Sequence, residues 1–159
     1  MNDQQIEKEI QEKGLTAPRV TPDDIEDNIC QEHYFTGEAG PDAVRFSWLF
    51  ADHADRAELD AARAIQEQAS VMSLSAIRKN IDIAMGRDGI GYNFEAIGLL
   101  TYCTLVLQNG FTVTGESACA SPENFDEELG RKIARQNAIA KIWPLMGYEL
   151  KQRLFESGQ

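Results

Sequence analysis

The chain has 159 residues, 43% hydrophobic and 26% charged, with a formal net charge of −11. That composition excludes a disordered chain, and no apolar run approaches the length needed to cross a bilayer. The charge is uneven: residues 1–119 hold 9 Lys+Arg against 20 Asp+Glu, and residues 120–159 hold 6 of each. An acidic N-terminal part repels phosphate backbones, so phosphate-driven nucleic-acid binding is disfavoured; solubility explains the charge more simply than mimicry of DNA does.

One domain of this length can bury most of the surface that its unfolded form exposes. The first residues, Met1-Asn2-Asp3-Gln4-Gln5, form neither a basic n-region nor an apolar h-region, so the expected location is the cytoplasm. Cys30, Cys103 and Cys119 have no metal-type spacing and are expected to be reduced, buried thiols.

Residues 3–13 carry Ile6 and Ile10 among polar residues and stop at Gly14, which predicts a short, weakly apolar helix. Thr21-Pro22-Asp23-Asp24-Ile25 signals the next helix, with Thr at the N-cap, Pro at the first helical position and acids in the first turn. Val20 and Ile25 hold the two positions of a hydrophobic staple. This helix is expected to run to Tyr34-Phe35-Thr36-Gly37, with five acids between Asp23 and Glu32 on its outer face. That face reads as solvated, with a strip for a basic partner as the lesser alternative.

From Asp42 the pattern is helical again, with Val44, Trp48 and Leu49 grouped together. Leu59, Ala62, Ile65 and Ala69 form a stripe in an Ala-rich segment. Ser70 to Ser75 interrupts it, and Ile77, Ile81, Ala84 and Met85 continue a further helix. Asp52-His53-Ala54-Asp55 gathers potential metal ligands, but adjacent helical residues diverge and solvated charge is the simpler reading. Gly86-Arg87-Asp88-Gly89-Ile90-Gly91 reads as a connector, because no Lys-Ser/Thr follows and no strand precedes it, as a phosphate loop requires.

The C-terminal part is the best signalled. Tyr102–Leu107 and Phe111–Thr114 are β-rich runs around Asn109-Gly110, a dipeptide suited to a two-residue turn. That turn would pair Val106 with Val113 and Gln108 with Phe111, and set Cys103 across from Glu116. The first strand is then apolar on both faces and the second on one, which suggests a covered first strand and a more exposed second one; two strands alone are not stable in water, and any third strand is not placed by the sequence. Ser121 or Asn124 caps the following helix; its acids Asp126, Glu127 and Glu128 precede Arg131, Lys132 and Arg135. Phe125, Leu129, Ile133, Ile139, Ile142 and Trp143 form its apolar stripe. Pro144 ends or kinks it, and Leu145–Phe155 forms a second short helix. Trp143 and Tyr148 read as core residues closing this corner, with a ring stacked on a ligand as the alternative. The fold class expected is α+β, mostly helical, with one antiparallel hairpin at about Leu99–Ala118 packed by a kinked C-terminal helix pair.

These residues carry a resemblance. Leu100–Cys119, Asn124-Phe125-Asp126, Gly130-Arg131-Lys132-Ile133-Ala134 and Ile142-Trp143-Pro144-Leu145-Met146-Gly147-Tyr148 resemble the core of a phage and prophage accessory family of the gene product forty-nine and gene product sixty-six type. Val20-Thr21-Pro22 and Glu32-His33-Tyr34-Phe35-Thr36 are similar to its N-terminal block. The matches cover a little over half the chain. Residues 41–98 depart from the pattern and read as a helical insertion within a single domain, between N-terminal helices at 1–40 and the family core at 99–159. The resemblance implies a phage or prophage accessory protein and supplies no catalytic, metal or cofactor residues; no cofactor is expected.

Four functions remain in order. The first is a non-enzymatic modulator binding a host or phage protein, through the acidic helical surface or the hairpin edge, or self-associating. The second is an oligomer that sequesters a nucleotide-like small molecule used in host defence, which needs Arg131, Lys132 and Arg135 turned toward a pocket. An enzyme would need a cleft gathering Glu116 with His33 or Cys119. A nucleic-acid binder would use the same basic helix face. The residues singled out for interaction or a pocket are Glu116, Arg131, Lys132, Arg135, Trp143 and Tyr148.

Overall fold

The computed structural model describes residues 3–87 and 94–158. In chain order the elements are α1 (Asp3–Glu12), α2 (Pro22–Asn28), β1 (Ile29–Thr36), α3 (Ala39–Leu49), α4 (Arg56–Gln68), a 3-10 turn (Ala69–Val71) and α5 (Leu74–Ala84). There follow α6 (Phe94–Gly98), β2 (Leu100–Leu107), β3 (Thr112–Ala118), a second 3-10 turn (Pro122–Asn124) and α7 (Glu127–Glu156). They form two compact units: residues 1–35 with 99–159, and residues 36–98.

The first unit is a three-stranded antiparallel sheet, in the order β1-β2-β3, with α7 lying across one face. The α+β class expected from sequence holds, and the strand that the sequence left unplaced is β1. Thr21 caps α2 through its side chain and Asp24 returns the bond to the Thr21 N–H, a reciprocal capping box. The helix nevertheless ends at Asn28, well short of Tyr34. The β-branched and aromatic residues that follow pair with the exposed edge of β2, and edge pairing outweighs continuation of a seven-residue helix. His33 is therefore a strand residue, not a helix end.

The hairpin differs from expectation by one residue. Leu105 pairs with Val113 and Cys103 with Gly115, so Glu116 lies across from Tyr102. Asn109 does not take positive φ; Gly110 alone does, at φ 82. The connection is thus a three-residue loop, Gln108-Asn109-Gly110, closed by Gly110 N–H to Leu107 O and Leu107 N–H to Phe111 O. The Asn109 Oδ1 accepts from the Phe111 N–H at 2.9 Å, which engages the side chain locally and removes the need for a second left-handed residue. A slip of one moves every side chain of β3 to the other face. Val113 consequently joins Cys103, Leu105 and Leu107 in the core beneath α7, instead of facing Val106.

Helix α7 is one element of 30 residues, and the expected break at Pro144 does not occur. Proline removes one backbone hydrogen bond, but Ile142, Trp143 and Met146 pack on the sheet's core on either side of it and hold the helix through that point. Its cap is Asp126, whose side chain accepts from the Leu129 N–H at 2.8 Å; Ser121 starts only the short 3-10 turn before it. The buried stripe is Gly130, Ala134, Ala138 and Ile142, while Leu129 and Ile133 are exposed. Small residues win the inner face because the helix backbone comes close to the sheet. A Cβ on Gly115 would sit 2.1 Å from the Ala134 carbonyl oxygen, and one on Gly130 would sit 2.7 Å from Thr101 Oγ1. The three cysteines are free thiols, but only Cys103 is buried; Cys119 is half-buried and Cys30 exposed.

The second unit packs α3, α4 and α5 around Leu49, Ala62, Ile65 and Ile81. Val44, expected in this group, is exposed. Asp55 caps α4 and Ser73 caps α5, so the break expected at Ser70–Ser75 is real. Arg45, 2% exposed, binds Asp82 with two nitrogens and Asp42 with a third contact. Arg78 joins Asp42 and Glu38 to the same network. The ends of this unit meet: Gly37 approaches Ile97 so closely that a Cβ there would lie 2.2 Å from the Ile97 carbonyl oxygen. The connector expected at Gly86–Gly91 lies, from Asp88 on, outside the described residues.

Candidate functional site

The basic residues of α7 are held by the protein's own acids. Arg135 is bonded by Glu26 (2.6 and 3.0 Å) and by Glu32 (2.7 and 2.9 Å), from α2 and β1. The fork geometry of guanidinium against two carboxylates pushes the Arg135 pKa well above its usual value, through Glu26 first and then Glu32. Glu32 is correspondingly held below the ordinary carboxylate range, mainly by Arg135, and it also accepts from the Tyr34 hydroxyl at 2.8 Å. Tyr34 is pushed up, by burial first and then by Glu32. Arg131 bonds Glu127 at 2.6 Å, with its guanidinium carbon 5.7 Å from the centre of the Tyr34 ring. Lys132 bonds Glu128 at 2.6 Å. Both are exposed i,i+4 pairs along α7.

Beside Arg135 lies a cleft of about 370 Å³ between α1, α2 and α7. Ile25, Ile139 and Trp143 give it an apolar floor; Asp3, Asp23, Glu26, Lys132 and Arg135 supply its charged lining, Glu26 and Arg135 paired with each other. The Trp143 indole N–H donates to Asp3 Oδ2 at 3.2 Å, so the half-buried ring is fixed with an edge on the cleft. Once Lys132 and Arg135 are matched to Glu128, Glu26 and Glu32, the carboxylates of Asp3 and Asp23 leave the rim negative. A cation on an apolar stem fits such a site, through the indole and the two acids together.

Three of the residues singled out in the sequence, Lys132, Arg135 and Trp143, thus line one cleft. The others lie elsewhere. Arg131 is turned to Tyr34. Tyr148 is 74% exposed, contrary to the expected core position, because it lies two residues from Met146, on the opposite side of the helix from the one that packs on the sheet. Glu116 is an exposed residue of β3, 3.8 Å from Lys141. Sequence reasoning missed Asp3, Ile139 and the pairing of Arg135 with Glu26 and Glu32. Those carboxylates are more than 100 residues from Arg135, and no local spacing announces such a contact.

The hairpin edge, the other surface considered, is closed. Thr114 and Glu116 lie opposite Thr104 and Tyr102, in pairs whose carbonyls point away from β2. Lys141 Nζ donates to the Thr114 carbonyl at 2.6 Å and Asn137 Nδ2 to that of Glu116 at 2.8 Å. Side chains of α7 therefore block strand addition there.

No metal cluster of three or more His, Cys, Asp or Glu occurs among the described residues. His53 is engaged by the Trp48 carbonyl at 2.8 Å, with Glu58 3.5 Å from its other nitrogen. His33 contacts the Gln31 side chain, and Cys119 donates to the Ser121 carbonyl. Cys103, beneath α7, is pushed up by burial, which suits a structural thiol better than a nucleophile.

The model of the phage protein (N4 Gp49/phage Sf6 gene 66) family matches residues 20–154. The chain belongs to this family. The match takes in α2, the whole sheet and nearly all of α7, the elements that build two walls of the cleft. No curated protein and no solved structure matches the chain. Among the described residues no helix is long and apolar enough to cross a membrane.

Proposed function

We propose that this phage protein is a non-enzymatic accessory factor that binds a host or phage protein, and that the cleft between α1, α2 and α7 receives a basic side chain of that partner. The observation that carries this reading is the cleft itself: an apolar floor with a fixed indole, and a rim whose cations are already matched while Asp3 and Asp23 have no cationic partner among the described residues. A protein partner of this kind is steered to the site by charge and held there by the aromatic contact.

Tandem affinity isolation from infected cells tests it, with the wild type compared against Asp3→Asn/Asp23→Asn and against Trp143→Phe. The reading expects one protein, stoichiometric with the wild type, to be lost from the carboxamide variant and retained by the Phe variant. Equal recovery on all three baits removes the cleft from the account.

A second reading, sequestration of a small molecule, is favoured by the cleft volume, which falls within the usual range for small-ligand sites. Native mass spectrometry separates the two. Added mass of a few hundred daltons, displaced by no peptide, supports sequestration.

A further inference from the structure

Helix α1 contributes Asp3 and Gln4 to the cleft, yet none of its ten residues is buried. Ile6 is 43% exposed and Ile10 only half-buried, so little apolar burial offsets the entropy of holding it in place. A helix of this length is marginal by itself in water. Its polar ties to the rest of the unit include the Trp143 indole N–H on Asp3 and Arg19 Nη2, which donates to Glu7 Oε1 at 2.5 Å. Gly14, at φ 65 with open space around it, ends the helix, and residues 15–20 lead on to the Thr21 cap. Such a stretch can absorb the dihedral changes of a hinge. The family match begins at residue 20, so what α1 brings to the cleft lies outside it.

Charge decides when α1 stays down. Asp3 on α1 and Asp23 on α2 line the same cleft. Closing α1 brings these two carboxylates toward each other, and they repel; a cation seated between them turns that repulsion into attraction from both sides. Opening α1 withdraws Asp3 and gives the Trp143 N–H to water. We propose that α1 is a strap over the cleft, which opens locally in the free protein and is tied shut by a basic side chain seated between Asp3 and Asp23. The proposal rests on the cleft being a site for a basic side chain. The ligand shifts the strap only by the difference in its affinity for the closed and open forms, and Asp3 supplies that difference. The open form admits the partner and the closed form retards its release. Glu7 and Arg19 do not line the cleft and act as positioning residues for the strap.

Hydrogen exchange followed by mass spectrometry, on the full-length protein alone and with a saturating arginine-rich peptide, tests this. The Trp143 indole resonance reports in parallel whether the peptide enters the cleft. In the free protein, amides of residues 3–12 are expected to exchange within about tenfold of the unfolded-chain rate, while those of β2 and the buried stripe of α7 are protected by orders of magnitude. The peptide is expected to slow residues 3–12 by about tenfold. Glu7→Gln removes the ion pair without touching the lining; it should speed peptide dissociation by up to about fivefold, with the Trp143 signal still shifting at saturation. Asp3→Asn keeps an acceptor for the indole but removes the charge, and the peptide should then no longer slow α1. Protection of residues 3–12 equal to that of α7 in the free protein overturns the strap, whatever the peptide does. A shifted Trp143 signal without slowing in α1 also overturns it and leaves the cleft as a binding site. An unmoved Trp143 signal removes the cleft itself from the account, and closure by a ligand with it.

Discussion

Replacing Gly115 by alanine tests the account of how α7 meets the sheet. Gly115 sits across from Cys103 in the centre of β3. A Cβ built there lies 2.1 Å from the Ala134 carbonyl oxygen, 2.3 Å from the Ala138 nitrogen and 2.9 Å from the Asn137 carbonyl carbon. All three are backbone atoms of one helix, so no side chain can rotate to make room. The helix must move away by roughly 1 Å, and a gap of that size forfeits a quarter to a half of each dispersion contact along it. Ordinary overpacking costs about 1–3 kcal/mol, and a clash with rigid backbone belongs at or above the top of that range. The predicted loss for Gly115→Ala is therefore about 3 kcal/mol, a large share of the 5–15 kcal/mol that holds a small domain together. Urea unfolding followed by Trp143 fluorescence, in a Trp48→Phe background, measures it. Gly147→Ala is the control: nothing lies within 4 Å of its Cβ and the residue is helical, so it should stabilise by about 1 kcal/mol. A loss under 1 kcal/mol for Gly115→Ala would refute the close-approach reasoning.

Thr101 Oγ1 is buried without a hydrogen-bond partner among the described residues, so Thr101→Val should leave stability unchanged or raise it by about 1 kcal/mol; a clear loss in the same urea assay would show that the hydroxyl is bonded after all. Arg45→Met leaves Asp42 and Asp82 facing each other without their shared cation and should cost about 3–5 kcal/mol, read from Trp48 fluorescence with Trp143 replaced by Phe; a loss below 1 kcal/mol contradicts the buried-network reading. Glu32 is depressed below its ordinary value of 4.5, so its contribution is present above that pH and is lost as pH falls through the lower folded-state value. Glu32→Gln should accordingly be less stable than wild type near neutrality, with the difference shrinking in acid. A difference that grows in acid reverses the sign of the argument.

What could be read in the sequence was local. The Thr21-Pro22 cap, the interruption at Ser70–Ser75 and the strand pair around Asn109-Gly110 all announce themselves within a few residues, because caps and turns are short-range chemistry. The failures were tertiary. Asn109-Gly110 supports both a two-residue and a three-residue loop. The choice between them lies in placing Val113 beside Leu105 under α7, which no local spacing encodes. Ile29–Phe35 reads equally well as the tail of an acidic helix or as an edge strand, and only the free side of β2 decides. Leu129 and Ile133 look like the natural inner face of α7, yet the helix turns Gly130, Ala134 and Ala138 inward because Gly115 lets the backbones approach. Of the site, Lys132, Arg135 and Trp143 were visible as chemistry-bearing residues on a helix. Asp3 was not, and Glu26 and Glu32 were read only as acids of one helix face, since they reach α7 only through the folding of α2 and β1 around it.

The central claim is that the cleft takes a basic side chain, and the indole N–H resonance of Trp143 reports on it directly. Uniformly ¹⁵N-labelled protein, with that resonance assigned through Trp143→Phe, would be titrated with an arginine-rich peptide and, separately, with a glutamate-rich one of equal length. The account predicts a saturable shift of the Trp143 signal with the basic peptide alone, weakened at high salt and lost in Asp3→Asn/Asp23→Asn. An unmoved Trp143 signal, or equal shifts with both peptides, would contradict it.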